Sequence, residues 1–251
     1  MSDKIGVMIV TGGSGSIGAA IARAAAAAGY AVVVNFKNNA AAAAEIVADI
    51  RASGGSALAV QADVARQADV RRLFAATVEA FGAPTVLVNN AGLVGAVRPI
   101  EDADEAFLNA LFAANVTSAF LCAGEAARIM STRNGGRGGS IVNMTSAAAR
   151  HGGMTGEVHY AASKGAIDVF TVALAKELGA AGVRVNAIRP GLIDSPLHDI
   201  HGGQDAMTKL ADTVPLRRTG TPGEVADALL WLVSERASYV HGAIIDVTGG
   251  R

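Results

Sequence analysis

Cysteine is nearly missing from this chain: Cys122 is the single one in 251 residues. An internal disulfide is therefore excluded, and cysteine usage gives no sign of an oxidising compartment. An excess of either charge is lacking too. Lys and Arg number 21 against 22 Asp and Glu, for a formal net charge of -1, so no broad basic field is available to gather nucleic acid or anionic lipid. No uninterrupted run of about 18 apolar residues occurs. The opening MSDKIGVMIV has neither a long apolar stretch nor a small-residue cleavage site. A secretion signal and a membrane span are not expected, and a cytoplasmic setting is. The five histidines form no metal set. His198 and His201 have the spacing of some ligand pairs but lack a third ligand.

Half of the residues, 51%, are hydrophobic, enough for a large core, and the length suits one α/β domain. Short β-branched runs alternate with alanine-rich stretches. Strands are predicted at 7–10, 31–35, 57–60, 86–88, 140–144, 184–188 and 243–247. Helices are predicted at 17–28, 40–52, 70–81, 104–130, 160–178 and 224–232. Strands without a polar face are covered on both sides, and strand–helix alternation implies right-handed crossovers. The alanine tracts are taken as structured, because alanine is the best helix former and lets a helix lie close to a sheet. The expected fold is a single-domain, Rossmann-like, doubly wound parallel sheet with helices on both faces, spanning residues 1–251.

The turn between the first strand and helix reads VTGGSGSIG, residues 10–18, and Gly13-x-Gly15-x-x-Gly18 matches the general dinucleotide fingerprint. Glycines allow close backbone approach, and the helix N-terminus offers N–H groups and a positive dipole end to a phosphate. After the second strand, Asn35-Phe36-Lys37-Asn38 has no carboxylate of the kind that bonds an NAD ribose. Lys37 is either a partner for a 2′-phosphate, favouring NADP over NAD, or a solvated loop lysine. The missing acid also counts against a methyltransferase.

Tyr160 and Lys164 stand four residues apart in a helical segment and so share a face. Reducing a carbonyl requires a proton donor at its oxygen, and oxidising an alcohol requires the same group as base. Ionising a phenol of pKa about 10 at pH 7 costs roughly 4 kcal/mol. An ammonium ~5 Å away at an effective dielectric of ~20 supplies about 3 kcal/mol of that. Ser146, at the end of the strand SIVNM, delivers a hydroxyl to the sheet edge where ligands bind. It serves either the substrate oxygen or a turn.

With Thr11-Gly12 to Gly18, Asp63-Val64, Asn89-Asn90-Ala91-Gly92, Asn115, Ser146, Tyr160-x-x-x-Lys164 and Arg189-Pro190-Gly191 in this order, the chain resembles a short-chain dehydrogenase/reductase over its length. The stretch GTPGEVADALLWLVSERASYVHGAIIDVTGG is similar to the branch containing glucose dehydrogenases and 3-ketoacyl reductases. The resemblance implies an NAD(P)(H)-dependent oxidoreductase acting on small carbonyl or alcohol substrates as a homotetramer, with its long helices and last strand at interfaces. It makes Tyr160 the general acid/base, Ser146 the substrate-orienting hydroxyl and Asn115 the support of a water-linked proton path. Lys164 holds the nicotinamide ribose and lowers the phenol's pKa.

The same resemblance places Gly12, Ser14, Gly15, Ser16, Ile17 and Gly18 at the pyrophosphate, with Asn35 and Lys37 near the adenosine ribose. Asp63 and Val64 fall at the adenine, Asn90, Ala91 and Gly92 at the ribose, and Pro190, Gly191, Ile193 and Ser195 at the carboxamide end. Ser16 stands where the family has a glycine, Ser195 where many relatives have threonine, and the substrate loop 147–159 is longer than in many ketoacyl reductases. His151, Met154, Glu157 and His159 lie in that loop, and 193–211 is a candidate lid. Two other readings compete: a lyase or epimerase that uses the nicotinamide transiently, and a non-catalytic dinucleotide sensor.

Overall fold

A computed structural model describes residues 5–194 and 210–251. Seven parallel strands form one sheet in the order β3-β2-β1-β4-β5-β6-β7. They are β1 (Gly6–Val10), β2 (Tyr30–Phe36), β3 (Ser56–Gln61), β4 (Val86–Asn89), β5 (Gly139–Met144), β6 (Val183–Pro190) and β7 (Ile244–Val247). The helices between them are α1 (Ser16–Ala27), α2 (Ala40–Ala52), α3 (Gln67–Phe81), α4 (Glu105–Phe112), α5 (Ser118–Met130), the short α6 (Ala148–His151), α7 (Val158–Leu178) and α8 (Pro222–Val233).

Alternation along the buried strands sorts the core into two layers. Met8, Val10, Val32, Val34, Val86 and Val142 face α1, α2 and α8. Ile9, Val33, Leu87, Ile141 and Val185 face α3, α5 and α7. Small residues Gly18, Ala19, Ala22 and Ala25 form the buried side of α1 and let that helix lie close to the sheet. Cys122 is buried on α5, where loss of hydration pushes its thiol up to about 12. At neutral pH it is an inert packing residue.

The segment expected as one helix over 104–130 is interrupted. α4 passes through a π turn at Ala113–Thr117 into α5, and Asn115 sits in that turn. Glu105–Met130 is long and apolar enough to cross a membrane by length and composition. About a third of its most apolar window is buried inside the fold, and Leu111, Ala119, Cys122, Ala123, Ala126 and Met130 are among the buried residues of this segment.

Between β4, β5 and α7 the core carries a polar ladder. Asn89 Nδ2 donates to Asn143 Oδ1 (2.9 Å), and Asn143 Nδ2 donates to Thr171 Oγ1 (2.9 Å). Thr171 donates in turn to the Ile167 carbonyl (2.8 Å). All three ladder residues are buried, so the ladder fixes how α7 sits on the sheet. Asn143→Ala leaves buried groups of Asn89 and Thr171 short of a partner. It is expected to lower stability by about 1–3 kcal/mol, read as a lower urea midpoint at unchanged m-value.

Candidate active site

From the parallel neighbours β1 and β4 the strand order proceeds outwards in opposite directions, so a crevice opens at their C-terminal ends. Open α/β sheets bind ligands at this place. A cavity of about 230 Å³ lies there. Its walls come from the glycine turn (Gly12, Gly15, Ser16, Ile17, Gly18), the segment after β4 (Asn90–Val94), the end of β5 through α6, α7 (Tyr160, Lys164) and the end of β6 (Pro190–Ile193).

The turn is held by the groups around it. Thr11 Oγ1 donates to the Val88 carbonyl (3.2 Å) and accepts from the Asn90 and Ala91 amides, each at 3.0 Å. Asn90 Nδ2 donates to the carbonyls of Thr11 (2.9 Å) and Gly12 (3.1 Å). Gly12 has φ +60°, and a Cβ there would come within 2.9 Å of Ala91 Cα. At Gly18 a Cβ would lie 2.5 Å from the Gly12 oxygen. Both glycines are therefore required by the fold of the turn itself.

The pyrophosphate of a dinucleotide fits this turn on three observations. The N-cap Gly15 offers no side chain to the first N–H groups of α1, and no acid occupies its first turn. A Cβ at Gly15 would meet its nearest neighbour only at 3.5 Å, so the turn is open on that side. Ser16 Oγ, in place of the family glycine, is buried with no hydrogen-bond partner. An anion with acceptor oxygens supplies what all three lack.

Asn35 is buried at the end of β2. Its buried amide accepts from the Gly12 N–H (3.2 Å) and donates to the carbonyls of Val60 (3.3 Å) and Ala62 (3.0 Å). As β2 lies between β1 and β3, this side chain ties the glycine turn to the end of β3. Ser14, Lys37, Asp63 and Val64 lie outside the cavity walls. Val64 is packed in the core, and Lys37 Nζ is ion-paired with Asp63 Oδ2 at 2.8 Å. Ser195, His198 and His201, with most of the candidate lid, fall outside the described residues.

α7 is locked to β5 next to the cavity. Lys164 Nζ donates to the Met144 carbonyl (2.9 Å), and Thr145 Oγ1 donates to the Lys164 carbonyl (3.0 Å). Lys164 is 5% exposed, and burial lowers its pKa to about 8, with Asp168 opposing the shift. Its Nζ lies 5.8 Å from the centre of the Tyr160 ring. The phenol is raised above its ordinary value by burial; a hydrogen bond with Ser146 lowers it, and the charge of Glu157 raises it further. A phenol pulled down by lysine was expected from the sequence. Here desolvation sets the direction, and the group that opposes it is Ser146 rather than the lysine.

The Asn115 amide accepts from the Leu93 N–H (2.8 Å) and donates to the Leu93 carbonyl (2.8 Å) and Ser163 Oγ (2.9 Å). It thereby pins the segment after β4. A Cβ at Gly92 would lie 3.1 Å from Asn115 Oδ1 and 3.4 Å from Lys164 Nζ, so both groups border that glycine. Ser146 Oγ also accepts from the Ala148 N–H (3.1 Å), which starts α6.

The sequence reading named Glu157 and His159 only as residues of the substrate loop and passed over Thr145. Glu157, buried in the cavity wall, accepts from the Met154 N–H (2.8 Å). Thr145 clamps α7, as described above. His159 is buried, edge-on to Phe107 at 4.8 Å between ring centres, with Nε2 lacking a partner. Its usable signal was its place directly before Tyr160.

The fold is of the Rossmann class, with its cavity at the crevice where such folds bind ligands. Comparison with known proteins narrows this. Residues 12–251 match a family model described as enoyl-(acyl carrier protein) reductase. The uncharacterized oxidoreductase YgfF of Escherichia coli K12 is 41% identical over 245 residues, covering 98% of this chain and 99% of that one. A short-chain dehydrogenase/reductase mutant from Serratia marcescens superposes with a TM-score of 0.90 at 32% identity, covering 98% of each chain. The 3-ketoacyl-(acyl-carrier-protein) reductase of Brucella melitensis, solved with NADH, gives 0.91 at 30% identity, covering 100% of this chain and 99% of that one. The chain belongs to the short-chain dehydrogenase/reductase family, whose members use a nicotinamide dinucleotide on CH–OH and C=O groups.

Burial of Lys164 predicts a pH signature. Its folded pKa of about 8 lies below the ordinary 10.5. Between those values the unfolded chain binds the proton more readily, so the lysine's contribution to stability rises with pH across that window. Lys164→Met is expected to lack this rise. Its Tm should exceed that of the parent below pH 8, and the gap should close towards pH 10.5 in scanning calorimetry.

Proposed function

We propose that this protein transfers hydride between a nicotinamide and a carbonyl or alcohol carbon, with NADP(H) favoured over NAD(H). The observation that carries this reading is the meeting of Ser146, Tyr160 and Lys164 on one cavity beside the glycine turn. When bound, the nicotinamide supplies or accepts the hydride. The remaining chemistry belongs to the chain. Tyr160 gives a proton to the carbonyl oxygen in reduction and takes it back in oxidation. Ser146 holds that oxygen against the phenol. Lys164 binds the nicotinamide ribose and contributes positive charge below the phenol, while Asn115 supports a water-linked proton path to it.

The glycine turn, with Ser14 and the Ser16 hydroxyl, receives the pyrophosphate. Asp63 and the backbone at Val64 serve the adenine, Asn90 to Gly92 the ribose, and Pro190, Gly191, Ile193 and Ser195 the carboxamide side. Lys37 supports the NADP preference, being 62% exposed in its side chain and free to turn from Asp63 to a 2′-phosphate. The activity named for the Brucella relative makes 3-ketoacyl thioesters a first substrate class to assay. We read residues 1–251 as one domain. The family's usual solubility supports a cytoplasmic enzyme, and a small-molecule substrate is expected in place of nucleic acid or membrane.

A homotetramer is supported by an exposed apolar face on α5 and α7. Phe120 is 50% and Val169 71% exposed, and Phe120 stacks on Phe170 at 3.8 Å. Light scattering should give about four times 25.2 kDa. Phe120→Glu together with Val169→Glu should reduce that mass, and a monomeric parent would exclude the assembly.

A panel of carbonyls and alcohols with NADP(H) and NAD(H) tests the activity. Stoichiometric change in nicotinamide absorbance separates net redox from transient use of the cofactor. Tyr160→Phe should lower kcat by roughly 100-fold or more at little-changed KM, and full activity in that variant would remove the assignment. Lys37→Ala should raise KM for NADPH about tenfold, the loss of a charge-assisted contact, while sparing NADH.

A further inference from the structure

The face of α7 that carries Tyr160 and Lys164 continues to a third ionisable residue, Asp168, one further turn along. The Asp168 side chain is 13% exposed. Its Oδ2 accepts from Arg189 Nε (3.0 Å) and Nη2 (2.7 Å), while its Oδ1 is buried with no hydrogen-bond partner. Arg189 stands beside Pro190 at the end of β6 and also reaches Asp246 on β7 (3.4 Å). Asp246 is in turn held by Arg150 on α6 (2.9 Å). Charges of alternating sign thus link α7, β6, β7 and α6, and three of these elements contribute cavity walls.

A buried ammonium keeps its proton only if something nearby offsets lost hydration. Around Lys164 the candidates are few. On α7 the ionisable neighbours are Tyr160 and Asp168. β5 offers the Met144 carbonyl. The segment after β4 and the π turn offer Gly92 and Asn115, neither of which titrates. β6 acts through Arg189, which is bound to Asp168.

We propose that Asp168 is a positioning residue for Lys164: its carboxylate keeps the buried ammonium charged and seated on Met144, and Arg189 orients that carboxylate and limits its pull. The bearing on catalysis rests on the oxidoreductase reading above, in which Lys164 acts as a cation. The electrostatic coupling does not depend on that reading.

The coupling makes opposite demands on its two members, which a merely structural brace would not. Asp168→Asn removes the anion and leaves the Arg189 cation, so Lys164 should lose its proton at lower pH. Arg189→Met leaves an unopposed carboxylate, so Lys164 should hold its proton to higher pH. Lys164 is followed in the ligand-free protein by the pH at which Tm begins its alkaline rise. That onset should move down by about one pH unit in Asp168→Asn and up by a similar amount in Arg189→Met. In Arg189→Lys, which keeps the charge, it should stay near the parent value.

In carbonyl reduction, the alkaline fall of kcat/KM should move in the same two directions. Opposite shifts establish the coupling. Shifts of one sign, or a uniform drop in Tm with an unmoved onset, overturn it. If Asp168→Asn does not fold, the contrast between Arg189→Met and Arg189→Lys decides, since only loss of the charge should move the onset. Shifted onsets in a protein inert towards every carbonyl would overturn the functional reading and leave the coupling intact. Normal reductase activity with unmoved onsets would do the reverse.

Discussion

An ammonium held almost out of water, on a single backbone carbonyl, is the constraint on which the rest of this site depends. Lys164 touches Met144 at the end of β5, so a charged helix residue is joined to the strand end from which Ser146 follows. Burial works against that charge, and the surroundings are arranged to contain the cost. Thr145 returns a bond to the Lys164 backbone, and the Asn89–Asn143–Thr171 ladder holds the same helix lower down the sheet. Asp168 supplies the opposing charge one turn further on. Were α7 to slide or rotate by a residue, all of these contacts would fail together.

The strand and helix order was legible because its cause is local. Alternate residues of a covered strand are all apolar, and a helix needs good formers on every face, so period and composition separate the two. Most strands were read one to three residues short, since ends such as Gly6 and Tyr30 extend the ladder without adding to the apolar run, and the last was begun one residue early. The π turn at Ala113–Thr117 was not legible. Its residues AANVT suit an ordinary helix, and the shift shows only when Asn115 is seen bonded to both polar groups of the Leu93 backbone.

The site divides along the same line. Tyr160 and Lys164 could be paired from the sequence because both stand on one helix, where spacing fixes geometry. The bonds of Asn35 could not be read from the sequence, because its partners Gly12, Val60 and Ala62 come from two other strands' ends. Ser16 was noticed as a departure, yet only the structure shows its hydroxyl buried without a partner. Arg189 was quoted as part of a motif without a chemical task. Its task depends on Asp168, 21 positions earlier, and nothing in either local segment pairs them.

Seen together, these contacts explain why a family site needs so many residues that never meet the substrate. The proposed reaction asks for a phenol that can release a proton, but burial makes phenolate harder to form and raises Tyr160. Burial also weakens the cation assigned to help it, since desolvation lowers Lys164. The two demands conflict within a single helix face. In the coupling proposed above, the compensating carboxylate stands behind the lysine on α7, at Asp168, and is anchored through Arg189 on β6, which also reaches the partly exposed Asp246 on β7. The phenol can then stay buried while the lysine keeps its charge from the far side.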